Sequence, residues 1–181
     1  MPVIDESLII REEGPALIYP PTATFDLSRA YRYELTRTWS AAPPWVWCML
    51  NPSTASAFAS DQTITRCCGF AAAGGAGGII VVNLFAWQST DPAELARQLD
   101  PVGELNDAFI ARACTVPGRV VVATWGCHGT LHGRDAAVTR MLAAEGTSLM
   151  CLGTAKGGQP LHPSRLAAAT RLEPYRPGAA A

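Results

Sequence analysis

Four short stretches of this 181-residue chain are apolar with almost no interruption, and they restrict the fold more than any other feature. They are Trp45–Leu50, Gly78–Val82, Arg119–Thr124 and Ser148–Leu152, and Val, Ile and other hydrophobic residues dominate them. A strand with one face in water alternates apolar and polar residues, whereas a strand covered on both faces has no need to. Helical segments separate the runs. Ser60/Asp61 supplies a capping residue ahead of Gln62–Ala73, and glycines follow that segment. Asp91-Pro92-Ala93-Glu94 combines a cap, a proline at the first helical position and an acid in the first turn. Glu104–Ala113 and Arg134–Ala144 complete the set.

Strands alternating with helices at this spacing predict an α/β fold: a three-layer α/β/α sandwich around a central, mainly parallel four-stranded sheet. Upstream, Tyr31–Trp39 alternates aromatic or apolar with polar residues and reads as a half-buried edge or antiparallel strand. Residues 1–30, punctuated by Pro15, Pro20 and Pro21, read as N-terminal edge strands and loops. Residues 176–181 read as a disordered tail, and the whole of 1–181 as one domain.

Composition narrows the class further. Hydrophobic residues make up 49% and charged residues 16%, which describes a core-rich globular chain and not a disordered one. No apolar run reaches the roughly 18 residues of a membrane span, and no basic segment precedes the first apolar stretch, so a cytoplasmic location is expected. The six cysteines include the adjacent Cys67-Cys68 but no C-x-x-C pair, so reduced thiols are expected, with no metal and no cofactor. Cys48, Cys127 and Cys151 adjoin apolar runs and read as small buried hydrophobes. A net charge of −1 excludes a global basic field, although Lys156, Arg165, Arg171 and Arg176 face only Glu173 in the last part of the chain. A monomer is expected.

In open parallel sheets ligands bind beyond the carboxyl ends of the strands, so the residues after each run are the ones to inspect. They are Asn51-Pro52-Ser53, Asn83-Leu84-Phe85, Trp125-Gly126-Cys127-His128, and the glycine-rich loop from Gly153 to His162-Pro163-Ser164. Singly, each has a bland account: turn chemistry for Asn51, a helix cap for Asn83, core for Trp125, a surface turn for His162. Together, polar groups ending four successive apolar strands mark a site. No phosphate loop of Walker or dinucleotide type is present, and Gly74–Gly78 precedes a strand instead of opening a helix. His128 and His132 are four apart but flanked by Gly129 and Gly133, which disfavours a helical metal pair.

The ordered set NPSTA, D-x-T, VVNLF, WG and LG-x-x-K-x-G-x-P-x-HP resembles a bacterial family known only as a domain of unknown function (number 1643), over roughly Tyr31 to Leu166. More distantly it is similar to the uracil-DNA glycosylase superfamily, in its mismatch-specific and thymine-DNA branch. The resemblance implies that Asn51, in an N-P motif, positions the attacking water, since an amide takes up no proton at neutral pH. It implies that Asn83 reads the base, and that Trp125-Gly126 and His162-Pro163-Ser164 match the remaining motifs. His162 would then stabilise charge on the departing base.

The same resemblance assigns Ser53, Ser164 and Arg165 to phosphates flanking an extruded nucleotide, and Phe85 or Phe70 to stacking on the base. Asp61, Thr63 and Arg66 form the D-x-T element that closes over the pocket, with Asp61 assisting the water. Lys156 contacts phosphate or attacks the sugar as a Schiff-base nucleophile. The uracil-specific branch has a bulky Tyr where this chain has Ser53, so a pyrimidine substituted at C5 has room to enter. The implied activity is a monofunctional DNA glycosylase acting on modified bases, such as those of phage DNA, in antiphage defence. Two other functions stay open: an enzyme acting on a free nucleotide or nucleobase, and a non-catalytic nucleic-acid-binding module.

Overall fold

The computed structural model describes residues 4–16 and 18–178. It is an α/β structure built on one mixed eight-stranded sheet. In chain order the elements are β1 (Ile9–Glu13), β2 (Thr22–Asp26), β3 (Arg32–Thr38), β4 (Trp45–Met49), α1 (Gln62–Ala73), β5 (Gly78–Asn83) and α2 (Pro92–Arg97). There follow α3 (Asn106–Cys114), β6 (Val121–Ala123), α4 (Arg134–Ala144), β7 (Leu149–Cys151) and β8 (Glu173–Pro174). Within the described residues no helix is long and apolar enough to cross a membrane.

The strand order is β1-β2-β3-β5-β4-β6-β7-β8. Strands β5, β4, β6 and β7 pair in parallel, and the outer strands join antiparallel. One expectation is widened here, and one pair of alternatives is resolved. The sheet is twice as wide as four strands, because β1 to β3 extend it continuously on one side and β8 adds to the other. Strand β3 is antiparallel but not at an edge: it lies between β2 and β5, which its alternating pattern alone does not reveal. Of the tail expected over 176–181, Pro177 and Gly178 form a turn, and residues 179–181 lie outside the described residues, as do 1–3 and 17 of the N-terminal segment.

The central strand shows why the runs are continuous. Val46 and Cys48 of β4 pack with α3 and α4 residues such as Ile110, Val138 and Leu142. Trp47 and Met49 point to the opposite face and pack with Ile64, Cys67 and Phe70 of α1. All four β4 residues from Val46 to Met49 are buried, so no polar side chain is tolerated along the strand. The crossover from β4 to β5 runs one way through α1, and those to β6 and β7 run the other way. Chain direction therefore reverses beside β4, and a crevice opens at the carboxyl ends of β4 and β6.

Local chemistry sets the helix ends. The Asp61 carboxylate accepts from the Ile64 N–H at 2.8 Å to begin α1, and Gly75, at φ +83°, turns the chain out of it. Asp91 caps α2 through the Ala93 N–H at 2.9 Å. Helix α3 starts at Asn106, so Glu104 lies outside it. Gly77, in the turn before β5, accepts the Trp39 and Ser40 N–H groups, and a Cβ there would sit 2.1 Å from the Ala42 carbonyl oxygen. Gly77→Ala therefore clashes with backbone and not with a yielding side chain. The expected cost is about 1–3 kcal/mol, read in a melting curve as a Tm lower by about 2–4 °C per kcal/mol.

Candidate active site

The crevice at the strand ends deepens into a cavity of about 490 Å³, within the size range of small-molecule sites. Asn51, Ser53, Asp61, Asn83, Trp125 and His162 line it, with Thr63 beside them. Residues from the ends of β4, β5 and β6 thus meet the loop that follows β7, as the positional reading of the sequence anticipates.

Asn51 follows β4 after Leu50 alone. Its Nδ2 donates to the Ser89 carbonyl at 2.8 Å and to the Pro52 carbonyl at 3.1 Å. The Ser89 N–H returns a bond to the Pro52 carbonyl at 3.0 Å, so the two loops brace each other. With both amide hydrogens committed, the side chain offers its Oδ1 as an acceptor.

Asn83 ends β5 and is 1% exposed. Its backbone carbonyl and that of Leu84 both accept from Nδ2 of buried Asn106, each at 3.0 Å. The Leu84 carbonyl also accepts from Nε of Arg134 at 2.7 Å, and Arg134 pairs with Asp107. The backbone at the end of β5 is therefore satisfied by the first turns of α3 and α4. The Asn83 side chain caps no helix, and its Nδ2 has no hydrogen-bond partner among the described residues.

His162 is half-buried, and its Nδ1 lies 2.9 Å from the Ser164 hydroxyl and 3.4 Å from the Ser164 backbone nitrogen. A backbone N–H only donates, so Nδ1 accepts and the neutral ring carries its proton on Nε2. Burial pushes the imidazole below its ordinary value, against an upward pull from Asp61. Asp61 is engaged through both oxygens: one caps α1 and the other accepts from the Ser53 hydroxyl at 2.8 Å. Ser53 thus supports Asp61 in this structure, a different task from the phosphate contact expected of it.

Trp125 is at once core and cavity wall. It is 1% exposed, donates from Nε1 to Gln159 at 2.9 Å, and meets Tyr175 edge-on at 5.5 Å. A Cβ on Gly129 would lie 2.1 Å from its ring, so only glycine admits this contact.

Several expected site residues lie elsewhere. Phe85 is fully buried in the α3/α4 core, and Phe70 is buried beneath α1, so neither presents a face to the cavity for stacking. Arg66 reaches from α1 to the Leu166 and Pro163 carbonyls and lies over the Phe70 ring, so it ties the His162 loop to α1. Lys156 and Arg165 are exposed, and Ser164 supports His162; none of the three lines the cavity. Cys127, read as a small buried hydrophobe, is exposed at the cavity rim, and all six cysteines are free. His128 and His132 lie on an irregular 3-10 turn with His132 at φ +53°, and no metal-holding group of His, Cys, Asp or Glu occurs among the described residues.

Ser89, Thr90 and Arg32 line the cavity without being singled out by the sequence reading, and Arg32 is the buried charge among them. Arg32, at the start of β3, is 3% exposed and donates from Nη1 to the Ala55 carbonyl. Burial pulls its guanidinium down to about 10, with Asp61 acting the other way, so it stays charged at neutral pH. Its only sequence signal is position: a charged residue where an alternating strand enters the sheet.

The pH behaviour of His162 follows from these contacts. Its folded value lies below the ordinary 6.5, so between the two values the folded protein binds fewer protons than the unfolded chain. That contribution to stability is intact above pH 6.5 and is lost as pH falls through the folded value. Imidazole NMR should give a His162 midpoint below 6.5, and Asp61→Asn should lower it further by removing the charge that raises it. An upward shift in the variant would contradict this electrostatic picture.

No curated protein and no solved structure matches the chain significantly. A family model does match, over residues 32–164, a span that begins at Arg32 on the cavity wall and ends at Ser164 behind His162. Every residue lining the cavity falls inside it, and the chain belongs to the family described as "Protein of unknown function (DUF1643)".

Proposed function

We propose that this protein is a DNA glycosylase that hydrolyses the N-glycosidic bond of a C5-substituted pyrimidine and leaves an abasic site. The observation that carries the proposal is the convergence on one cavity of Asn51, held by two carbonyls so that Oδ1 is its acceptor, and His162, held so that Nε2 bears the proton. Bond cleavage builds positive charge on the sugar and negative charge on the departing base. Asn51 Oδ1 aligns a water for the sugar carbon, and the neutral His162 donates to a base oxygen as that oxygen gains charge. Asn83 adds a second donor, its unpartnered Nδ2, to read the base edge. The small Ser53 leaves the C5 side open, in a sandwich fold of the uracil-DNA glycosylase kind.

The exposed Lys156, Arg165, Arg171 and Arg176 follow β7 and flank the His162 loop in sequence, where they supply phosphate contacts that the overall charge of −1 does not. Lys156 is the sole lysine and lies off the cavity lining, which favours a monofunctional hydrolase over Schiff-base chemistry. Modified pyrimidines occur in phage DNA, and excising them would act as antiphage defence.

The test is incubation with oligonucleotides and phage DNAs bearing different C5-modified pyrimidines, scored for abasic sites by alkaline cleavage. Wild-type protein should generate them, and Asn51→Ala and His162→Ala should each lower turnover by about 10²–10³ while remaining folded, with a lower Tm for Asn51→Ala, which loses the bonds to Ser89 and Pro52. Efficient excision of plain uracil with C5-substituted bases left intact would overturn the substrate assignment. The near-neutral charge favours a second function, hydrolysis of a free nucleotide. Arg165→Ala separates the two: on DNA it lowers the slope of log affinity against log salt by about one, and on a free nucleotide held in the cavity, whose lining lacks Arg165, it changes nothing.

A further inference from the structure

Two donors in the cavity wall have no hydrogen-bond partner among the described residues: Nε of Arg32 and Nδ2 of Asn83. One belongs to a charged group that is 3% exposed. Buried donors left unpaired are costly, and a charged one more so, which makes an oxygen acceptor on the ligand the natural partner. The position of Arg32 says which part of the ligand that is. Its Nη1 holds the Ala55 carbonyl, two residues beyond Ser53, and Ser53 in turn bonds Asp61. Ser53, the Arg32 guanidinium and the Asp61 carboxylate therefore belong to one stretch of the cavity lining.

Those two groups ask for different things. Arg32 only donates, whereas Asp61 only accepts when ionised. No ion pair joins them among the described residues: Arg32 donates to a backbone carbonyl, and Asp61 accepts from the Ser53 hydroxyl and the Ile64 N–H. A methyl group placed there would bond to neither. A carboxylate would suit Arg32 but would be repelled by Asp61. A neutral hydroxyl satisfies both, since it accepts and donates.

Resting on the glycosylase function above, we propose that Arg32 is a specificity residue that, with Asp61, selects pyrimidines whose C5 substituent carries a neutral hydroxyl. In this role the guanidinium donates to the hydroxyl oxygen, and the hydroxyl hydrogen turns toward the carboxylate. Discrimination against a methyl substituent comes from leaving the buried Arg32 Nε without that partner.

Steady-state excision from duplexes carrying 5-hydroxymethyl-, 5-methyl- or 5-carboxylcytosine tests this. Wild-type kcat/KM should favour the hydroxymethyl substrate over the methyl one by about a hundred-fold or more. Arg32→Gln should collapse that ratio toward one, and Arg32→Lys should restore part of it. Asp61→Asn should raise the relative rate on the carboxyl substrate. A merely structural Arg32 would lower Tm and all three rates together, so an unchanged ratio in folded Arg32→Gln overturns the proposal. Should Arg32→Gln fail to fold, the wild-type ratio and the Arg32→Lys ratio decide, and equal rates on the hydroxymethyl and methyl substrates overturn it. If no substrate is cut, the glycosylase function fails separately. Titration calorimetry with 5-hydroxymethyl- and 5-methyldeoxycytidine then decides: preference for the former, lost in Arg32→Gln, sustains the role of Arg32, and equal or absent binding overturns it.

Discussion

Burial of β4 on both faces is the constraint from which the remaining architecture follows. Val46 and Cys48 need cover on one side and Trp47 and Met49 on the other. Helices must therefore flank the sheet in two layers, and short parallel strands joined through helices meet that need. Once the first crossover from β4 leaves in one direction and the later ones in the other, the loops at the carboxyl ends of β4 and β6 part. The cavity is a consequence of this reversal and needs no separate element to form it.

The polar groups around the cavity divide into those the fold uses for itself and those it leaves over. Carbonyls at the end of β5 are taken by Asn106 and Arg134, Asn51 Nδ2 by Ser89 and Pro52, and the Trp125 N–H by Gln159. Asp61 does most to couple the parts. It starts α1, receives the Ser53 hydroxyl, and through its charge acts on both Arg32 and His162. What remains after this self-satisfaction is a small set of directed groups: Asn51 Oδ1, His162 Nε2, Asn83 Nδ2 and Arg32 Nε. A site built this way is held rigid by the same bonds that stabilise the fold, which is what preorganised chemistry requires.

Much of the site was legible in the sequence because strand ends are legible. A continuous apolar run announces a doubly covered strand, and the first polar residue after it lies at the rim. Asn51, Asn83, Trp125 and His162 were found by that logic, and all four line the cavity. The logic fails where direction matters. Phe85 follows a strand end like its neighbours, but its N–H pairs with the Leu50 carbonyl at 2.9 Å and its ring turns into the core. Arg66 shares a motif with Asp61 and Thr63, yet its spacing along α1 carries it to the far side of the His162 loop.

The sequence by itself determined the layered α/β class, the four parallel strands' positions, the helix starts at Asp61 and Asp91, and the rim at which the cavity opens. These are local properties, written in periodicity and in capping residues whose partners lie within a few positions. Only the tertiary structure decided the width of the sheet, the interior place of β3, and the burial of Arg32 in the cavity wall. Strand neighbours are chosen by pairing between residues far apart in the chain, and a local pattern carries no record of that choice. Arg32 shows the difference most plainly. In the sequence it is one polar position in an alternating strand, and it becomes a buried charge in the cavity wall only because β2, β5 and the loop from Ser53 to Asp61 close around it.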